Sequence, residues 1–232
     1  MKNVLYILIM LIVPALIAEN AHAQKENREV KNFDEVELAI SADCYLTQGN
    51  DFECRLEGDE SVLNEVETTL SGATLKIKYN KPLQFRNPKR IKVYITMPSI
   101  KALSITGSGD VIANKTVEAN TLKLLVTGSG DFLMEDLKVR ELEAKISGSG
   151  SMELSGSKSG KDLEVKITGS GQYEADELSF EKARVSITGS GNAYVRAKDE
   201  LDIQVTGSGN VYYSGNALVD ARVVGSGHVR KR

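Results

Sequence analysis

Histidine is nearly missing from this chain: among 232 residues only His22 and His228 carry an imidazole. Ser-His-Asp and Cys-His arrangements are therefore hard to assemble. No H-E-x-x-H, P-loop or C-x-x-C occurs either, so neither a metal site nor a cofactor is expected, and the chain reads as no enzyme. A basic stripe is absent as well. Lys and Arg number 29 against 32 Asp and Glu, a net charge of -3, which gives nucleic acid nothing to bind. The basic His228-Val229-Arg230-Lys231-Arg232 reads as a terminal tail.

Long apolar runs are equally scarce. The one present extends from Val4 to Ala18 behind Lys2, contains Pro14, and is followed by the small-x-small sequence Ala21-His22-Ala23. A run this short falls below the roughly 20 residues a spanning helix needs. Residues 1–23 are thus expected to be a secretory signal peptide cleaved before Gln24, the alternative being an uncleaved anchor. No Cys stands at the junction to take a lipid. The remainder, with no transmembrane segment, is expected in the periplasm, on the outer surface or outside the cell.

What the chain has in abundance is a repeat. Thr106-Gly107-Ser108-Gly109 returns as Gly-Ser-Gly at 128–130, 148–150, 169–171, 189–191, 207–209 and 225–227, at spacings of 21, 20, 21, 20, 18 and 18 residues. Self-similarity near 20 residues marks a solenoid, each triplet being one corner of one coil. Before the corners, Leu142, Ala144 and Ile146 alternate with Glu143, Lys145 and Ser147; the same register holds for Leu163, Val165 and Ile167, for Leu201, Ile203 and Val205, and for Val219, Ala221 and Val223. Period two predicts strands with those apolar residues inward. After the corners, Val111 and Ala113, Phe132 and Met134, Met152 and Leu154, Tyr173 and Ala175, Ala193 and Val195, and Val211 and Tyr213 continue the inner face. A corner of three residues turns the chain too gradually for a long antiparallel ladder between the two strands with this repeat. Pairing is expected from coil to coil, parallel and in register at about 4.8 Å.

Residues 24–98 are strand-like without the regular repeat and are expected to cap the solenoid of 99–232, since its first coil has an edge to hide. Val62, Leu63 and Val66 sit at helical spacing within Asp59 to Glu67, and Asn80 to Lys89, with Pro82 and Pro88, reads as a loop. Cys44 and Cys54 flank a turn at Gln48-Gly49-Asn50-Asp51. If Leu46 pairs with Phe52 in a hairpin, the cysteines fall opposite each other, and an exported pair points to a disulfide. Two buried free thiols are the alternative.

Candidate chemistry gathers just after the corners, in the column Asp110, Asp131, Ser151, Gln172, Asn192, Asn210 and His228. Asp110 and Asp131 would stand about 5 Å apart, close enough to share a hard cation or to act as an acid/base pair on a sugar. Against this, Asp and Asn are the ordinary companions of a glycine turn. Tyr194 and Tyr212, pointing outward, form a candidate sugar-stacking patch, though outward tyrosines on strands also serve simply as packing residues.

The stretch from Ile91 to Val111, with Met97-Pro98-Ser99-Ile100 and Leu103-Ser104-Ile105-Thr106-Gly107-Ser108-Gly109-Asp110-Val111, resembles the putative auto-transporter adhesin, head GIN domain family of exported Bacteroidetes proteins. Val36 to Gly58, with Thr47-Gln48-Gly49, does so too. The resemblance implies an all-β, right-handed parallel β-helix (β-solenoid) of about seven Gly-Ser-Gly coils in the cell envelope, with no catalytic residues to carry over. Two functions stand at this point. The first is a non-enzymatic secreted or envelope protein, adhesin-like or structural, whose solenoid faces bind a surface partner. The second is a carbohydrate-active β-helix, lyase-like or hydrolase-like, using Asp110 and Asp131. The partner is left open between a glycan, an envelope or extracellular protein, and a second copy in a homo-oligomer.

Overall fold

The computed structural model describes residues 24–81 and 90–232. The expected signal peptide, and residues 82–89 of the loop expected from Asn80 to Lys89, lie outside the described residues. The first part of the chain forms β1 (Gln24–Asn27), β2 (Glu35–Ala39), β3 (Ala42–Gln48), β4 (Glu53–Gly58), α1 (Glu60–Leu63), β5 (Val66–Ser71), β6 (Thr74–Tyr79) and β7 (Ile91–Met97). The Gly-Ser-Gly part follows with β8 (Ala102–Gly107), β9 (Asp110–Ala113), β10 (Val117–Gly128), β11 (Phe132–Met134), β12 (Leu137–Gly148), β13 (Ser151–Leu154), β14 (Gly160–Gly169), β15 (Gln172–Gly189), β16 (Asn192–Gly207), β17 (Asn210–Ser214), β18 (Leu218–Gly225) and β19 (His228–Lys231).

Strands on the two sides of a corner ladder only with neighbouring coils, parallel and in register. Before the corner the ladder stacks Ile105, Val126, Ile146, Ile167, Ile187, Val205 and Val223 in one column. After it the ladder stacks Val111, Phe132, Met152, Tyr173, Ala193, Val211 and Val229. Both columns are buried through the middle coils, so the expected inward register holds there. Tyr173, Phe132 and Phe180 are the largest fully buried side chains, and Tyr173 has only Ala193 above it, large against small as close packing of a stack requires.

The two glycines of a triplet are needed for different reasons. The first has positive φ, +117° at Gly169, and a Cβ there would sit 2.4 Å from the carbonyl oxygen of Gly148 on the coil before. The second, Gly171, has no positive φ, but its Cβ would meet Ile146 Cγ2 at 2.4 Å. That carbonyl approach is used: Gly148 O accepts the Ser170 N–H at 2.9 Å, and the same bond recurs from corner to corner.

Chain order and stacking order differ at the N-terminal end. β2 pairs with β6 on one side and β8 on the other, and β3 lies between β7 and β9, all parallel. The coil made of β6 and β7 is therefore outermost although it is second in sequence. Its edge is covered by antiparallel β5 on β6, antiparallel β4 on β7, and β1 on β4, with Val62 and Leu63 of α1 buried. Here a hairpin of β3 with β4 is the wrong expectation: β7 separates them. Cys54 aligns through Ile95 with Leu46, while Cys44 aligns through Val93 with Leu56. Two strand spacings put the cysteines roughly 9 Å or more apart, beyond disulfide reach, and both are free, buried thiols.

At the opposite end β18 pairs with β16 and has no partner on its far side among the described residues. Val219, Ala221 and Val223 keep the inward register but are exposed, a correction to the sequence expectation. They have the strand geometry of the core, and no following coil covers them among the described residues.

Candidate functional site

The column beside the corners carries two runs of side-chain contacts between coils, one from Asp43 to Ser151 and one between Asn192 and Asn210. Asp43 and Asp110 are register neighbours, and Arg90 lies between them, 2.8 Å from Asp43 Oδ1 and 2.9 Å from Asp110 Oδ2, while also donating to the Ser108 carbonyl at 2.9 Å. Asp110 Oδ1 accepts the Asp131 N–H at 3.1 Å, and Asp131 Oδ1 accepts both the Ser151 N–H and its hydroxyl at 2.6 and 2.8 Å. Higher up, Asn210 Nδ2 donates to Asn192 Oδ1 at 2.9 Å. The structure thus brings Asp110 next to Asp131 as the repeat demands, but commits both Asp110 oxygens and Asp131 Oδ1 to a guanidinium, backbone N–H groups and a hydroxyl. A general acid/base pair needs oxygens available to substrate and a water between or beside them. Among the described residues no group of three or more His, Cys, Asp or Glu is placed to hold a metal ion.

Arg90 is the member of this cluster that sequence reasoning missed. It lies outside the repeat, and becomes visible only once β7 is known to stack on β3. Asp43 was hidden for the same reason.

Tyr194 and Tyr212 also meet, with ring centroids 4.8 Å apart and planes 12° from parallel. Arg232 lies 5.4 Å from the Tyr194 centroid and 3.3 Å from Asp176. A second pair, Tyr45 and Tyr94, stacks at 5.2 Å in the equivalent outward position of the first coils, with Arg55 Cζ 4.0 Å from the Tyr94 centroid. Within each pair the tyrosines stack on each other, and cation–π contact adds to the stack. The face before the corners is as closely self-paired. Lys182 meets Glu200 at 2.8 Å and Arg184 meets Asp202 at 3.5 Å on adjacent coils. A hydrogen bond from Lys145, with Lys123 also nearby, holds the Glu143 carboxyl below its ordinary range.

The buried groups are inert. Burial pushes the Cys54 thiol up to about 12 and Cys44 higher still, so neither forms the thiolate that nucleophilic chemistry uses. Tyr173 is fully buried with no partner for its hydroxyl, and burial raises it as well.

Among solved structures the chain is similar to a putative adhesin from Bacteroides fragilis, at 22% identity and TM-score 0.86, covering 90% of this chain and 97% of that one. It is also similar to a putative lipid binding protein from Parabacteroides distasonis, at 24% identity and TM-score 0.74 over 92% and 98% of the two chains. A putative adhesin from Parabacteroides merdae matches at 21% identity and TM-score 0.73 over 92% and 97%. At these identities the likeness is one of fold. No curated protein matches the sequence. The family described as putative auto-transporter adhesin, head GIN domain, matches residues 32–217, and the chain belongs to it.

Proposed function

We propose that this protein is an exported, non-catalytic binding module that presents rigid, self-paired solenoid faces to a partner at the cell surface, adhesin-like rather than carbohydrate-active. The observation that carries this reading is the state of Asp110 and Asp131: the two carboxylates best placed for sugar chemistry are tied into Arg90, Ser151 and the backbone. Family membership and the relatives named as adhesins support it. One relative is named as lipid binding, but the interior here is filled by Tyr173, Phe132, Phe180 and their neighbours, so a lipid would have to lie on the outside. The test is to incubate the purified protein with acidic polysaccharides, with and without calcium, and in parallel to measure binding of labelled protein to intact cells. Saturable binding without product release is the expected result. Product release that disappears in an Asp110→Asn, Asp131→Asn double variant would overturn the reading.

A further inference from the structure

The two ends of the solenoid are treated differently: antiparallel strands and α1 cover the first, whereas β18 leaves, among the described residues, an unpaired strand edge with exposed apolar side chains. Leu218 is 82% exposed, Val224 54%, Val219 38% and Val223 37%. A free edge of this kind is a template for another strand. What it fits is written in its own sequence, Leu218-Val219-Asp220-Ala221-Arg222-Val223-Val224.

We propose that β18 is a tail-to-tail dimer interface, pairing antiparallel with β18 of a second copy about a two-fold axis through Ala221. In that register Asp220 stands opposite Arg222 of the second copy and Arg222 opposite its Asp220, giving two identical ion pairs. Val219 faces Val223, Leu218 faces Val224, and Ala221 faces itself. Neighbouring registers fail on stated grounds. A shift of the axis by half a residue places inward positions opposite outward ones and turns the second core to the wrong side of the sheet. Centring on residue 220 or 222 sets Asp220 against Asp220 or Arg222 against Arg222, and like charges directly opposite are destabilising. The chosen pairing is isologous and closed, so it ends at two copies rather than growing a fibre. It also lays Val219, Ala221 and Val223 of each copy along one continuous sheet, extending the apolar surface the last coil leaves uncovered.

Sedimentation velocity of the purified protein over a concentration series tests this. The wild type is expected to dimerise, and Asp220→Arg or Arg222→Asp, each turning two attractive pairs into two repulsive ones, to weaken association by about tenfold or more. An equimolar mixture of the two variants restores opposite charges at both pairs and should recover the dimer, as should the Asp220→Arg, Arg222→Asp double variant. Both sites are exposed, so circular dichroism of the monomeric variants should match the wild type. Ala221→Cys should form an intermolecular disulfide with itself, because directly opposed residues have Cα atoms about 4.5–5.5 Å apart, within bridging distance. A wild type that stays monomeric throughout, a dimer indifferent to both reversals, or a mixture that fails to recover would each overturn the proposal.

Discussion

Three glycines separate the two reasons a corner excludes other residues. Gly107 has φ +109°, and a Cβ there would meet nothing within 4 Å, because no Gly-Ser-Gly corner precedes it. Gly169 has φ +117° and a Cβ position 2.4 Å from the Gly148 carbonyl oxygen. Gly171 lacks positive φ but has Ile146 Cγ2 at 2.4 Å and Gly150 O at 2.8 Å. Gly107→Ala therefore carries backbone strain alone, about 1–3 kcal/mol. Gly171→Ala carries overpacking alone, about 1–3 kcal/mol. Gly169→Ala carries both, and in forcing the coils apart it weakens the 2.9 Å bond from Ser170 N–H to Gly148 O, worth a further ~0.5–1.5 kcal/mol. Urea denaturation, read as a shift in midpoint at constant slope, should rank Gly169→Ala well below the other two in stability. If Gly107→Ala costs as much as Gly169→Ala, the approach of successive backbones contributes nothing and strain alone explains the corner. If Gly171→Ala is neutral, the packing of Ile146 under the next corner is looser than these distances require.

Ile167→Ala, which empties a site stacked between Ile146 and Ile187, should lose about 2–5 kcal/mol, against about 0.5 kcal/mol or less for the exposed Ser170→Ala; equal midpoints in chemical denaturation would refute the inward register. Tyr173→Phe removes a buried hydroxyl that has no partner and should stabilise by about 1 kcal/mol; a lower thermal midpoint would show that the hydroxyl is satisfied. Arg90→Ala leaves Asp43 and Asp110 facing each other and should cost about 1 kcal/mol, less in 1 M salt than at low ionic strength; a cost unchanged by salt would mean the loss is packing and not charge. Alkylation at pH 8 should leave both cysteines unmodified in the native protein, since burial raises both thiols, and should add two groups after denaturation without reductant; no label after denaturation would establish a disulfide.

The repeat made the regular coils readable. Alternation placed Ile146 and Ile167 inward, and a spacing of 18 to 21 residues told which coil lay on which. The same alternation misread Val219, Ala221 and Val223, because period two states which way a side chain points and not whether anything covers it. The N-terminal coils were illegible for a different reason. The turn at Gln48 to Asp51 is compatible with a hairpin, and the register that puts Cys44 opposite Cys54 keeps every apolar residue inward. Inserting β7 between β3 and β4 preserves that inward set, aligning Leu46, Ile95 and Cys54. Hydrophobic pattern cannot choose between two arrangements that bury the same residues.

The outward columns follow from a constraint that no single coil displays. Parallel in-register stacking places the same position of every repeat about 4.8 Å apart, so a perfectly repeated Lys or Glu would build a column of like charge. The column through Glu141, Asp162, Lys182 and Glu200 sets two carboxylates side by side and then changes sign at Lys182, where the ion pair from Lys182 to Glu200 closes. Asp43, Arg90 and Asp110 solve the same problem by bringing a cation from outside the column. Sequence drift between repeats is thus not noise around a consensus on the outer face. It lets part of the outer face pair from coil to coil, as at Lys182 and Glu200 and at Arg184 and Asp202, while like charges stay neighbours at Glu143 and Glu164 and at Lys145 and Lys166. At β18, Asp220 and Arg222 stand at an edge with the next coil missing among the described residues.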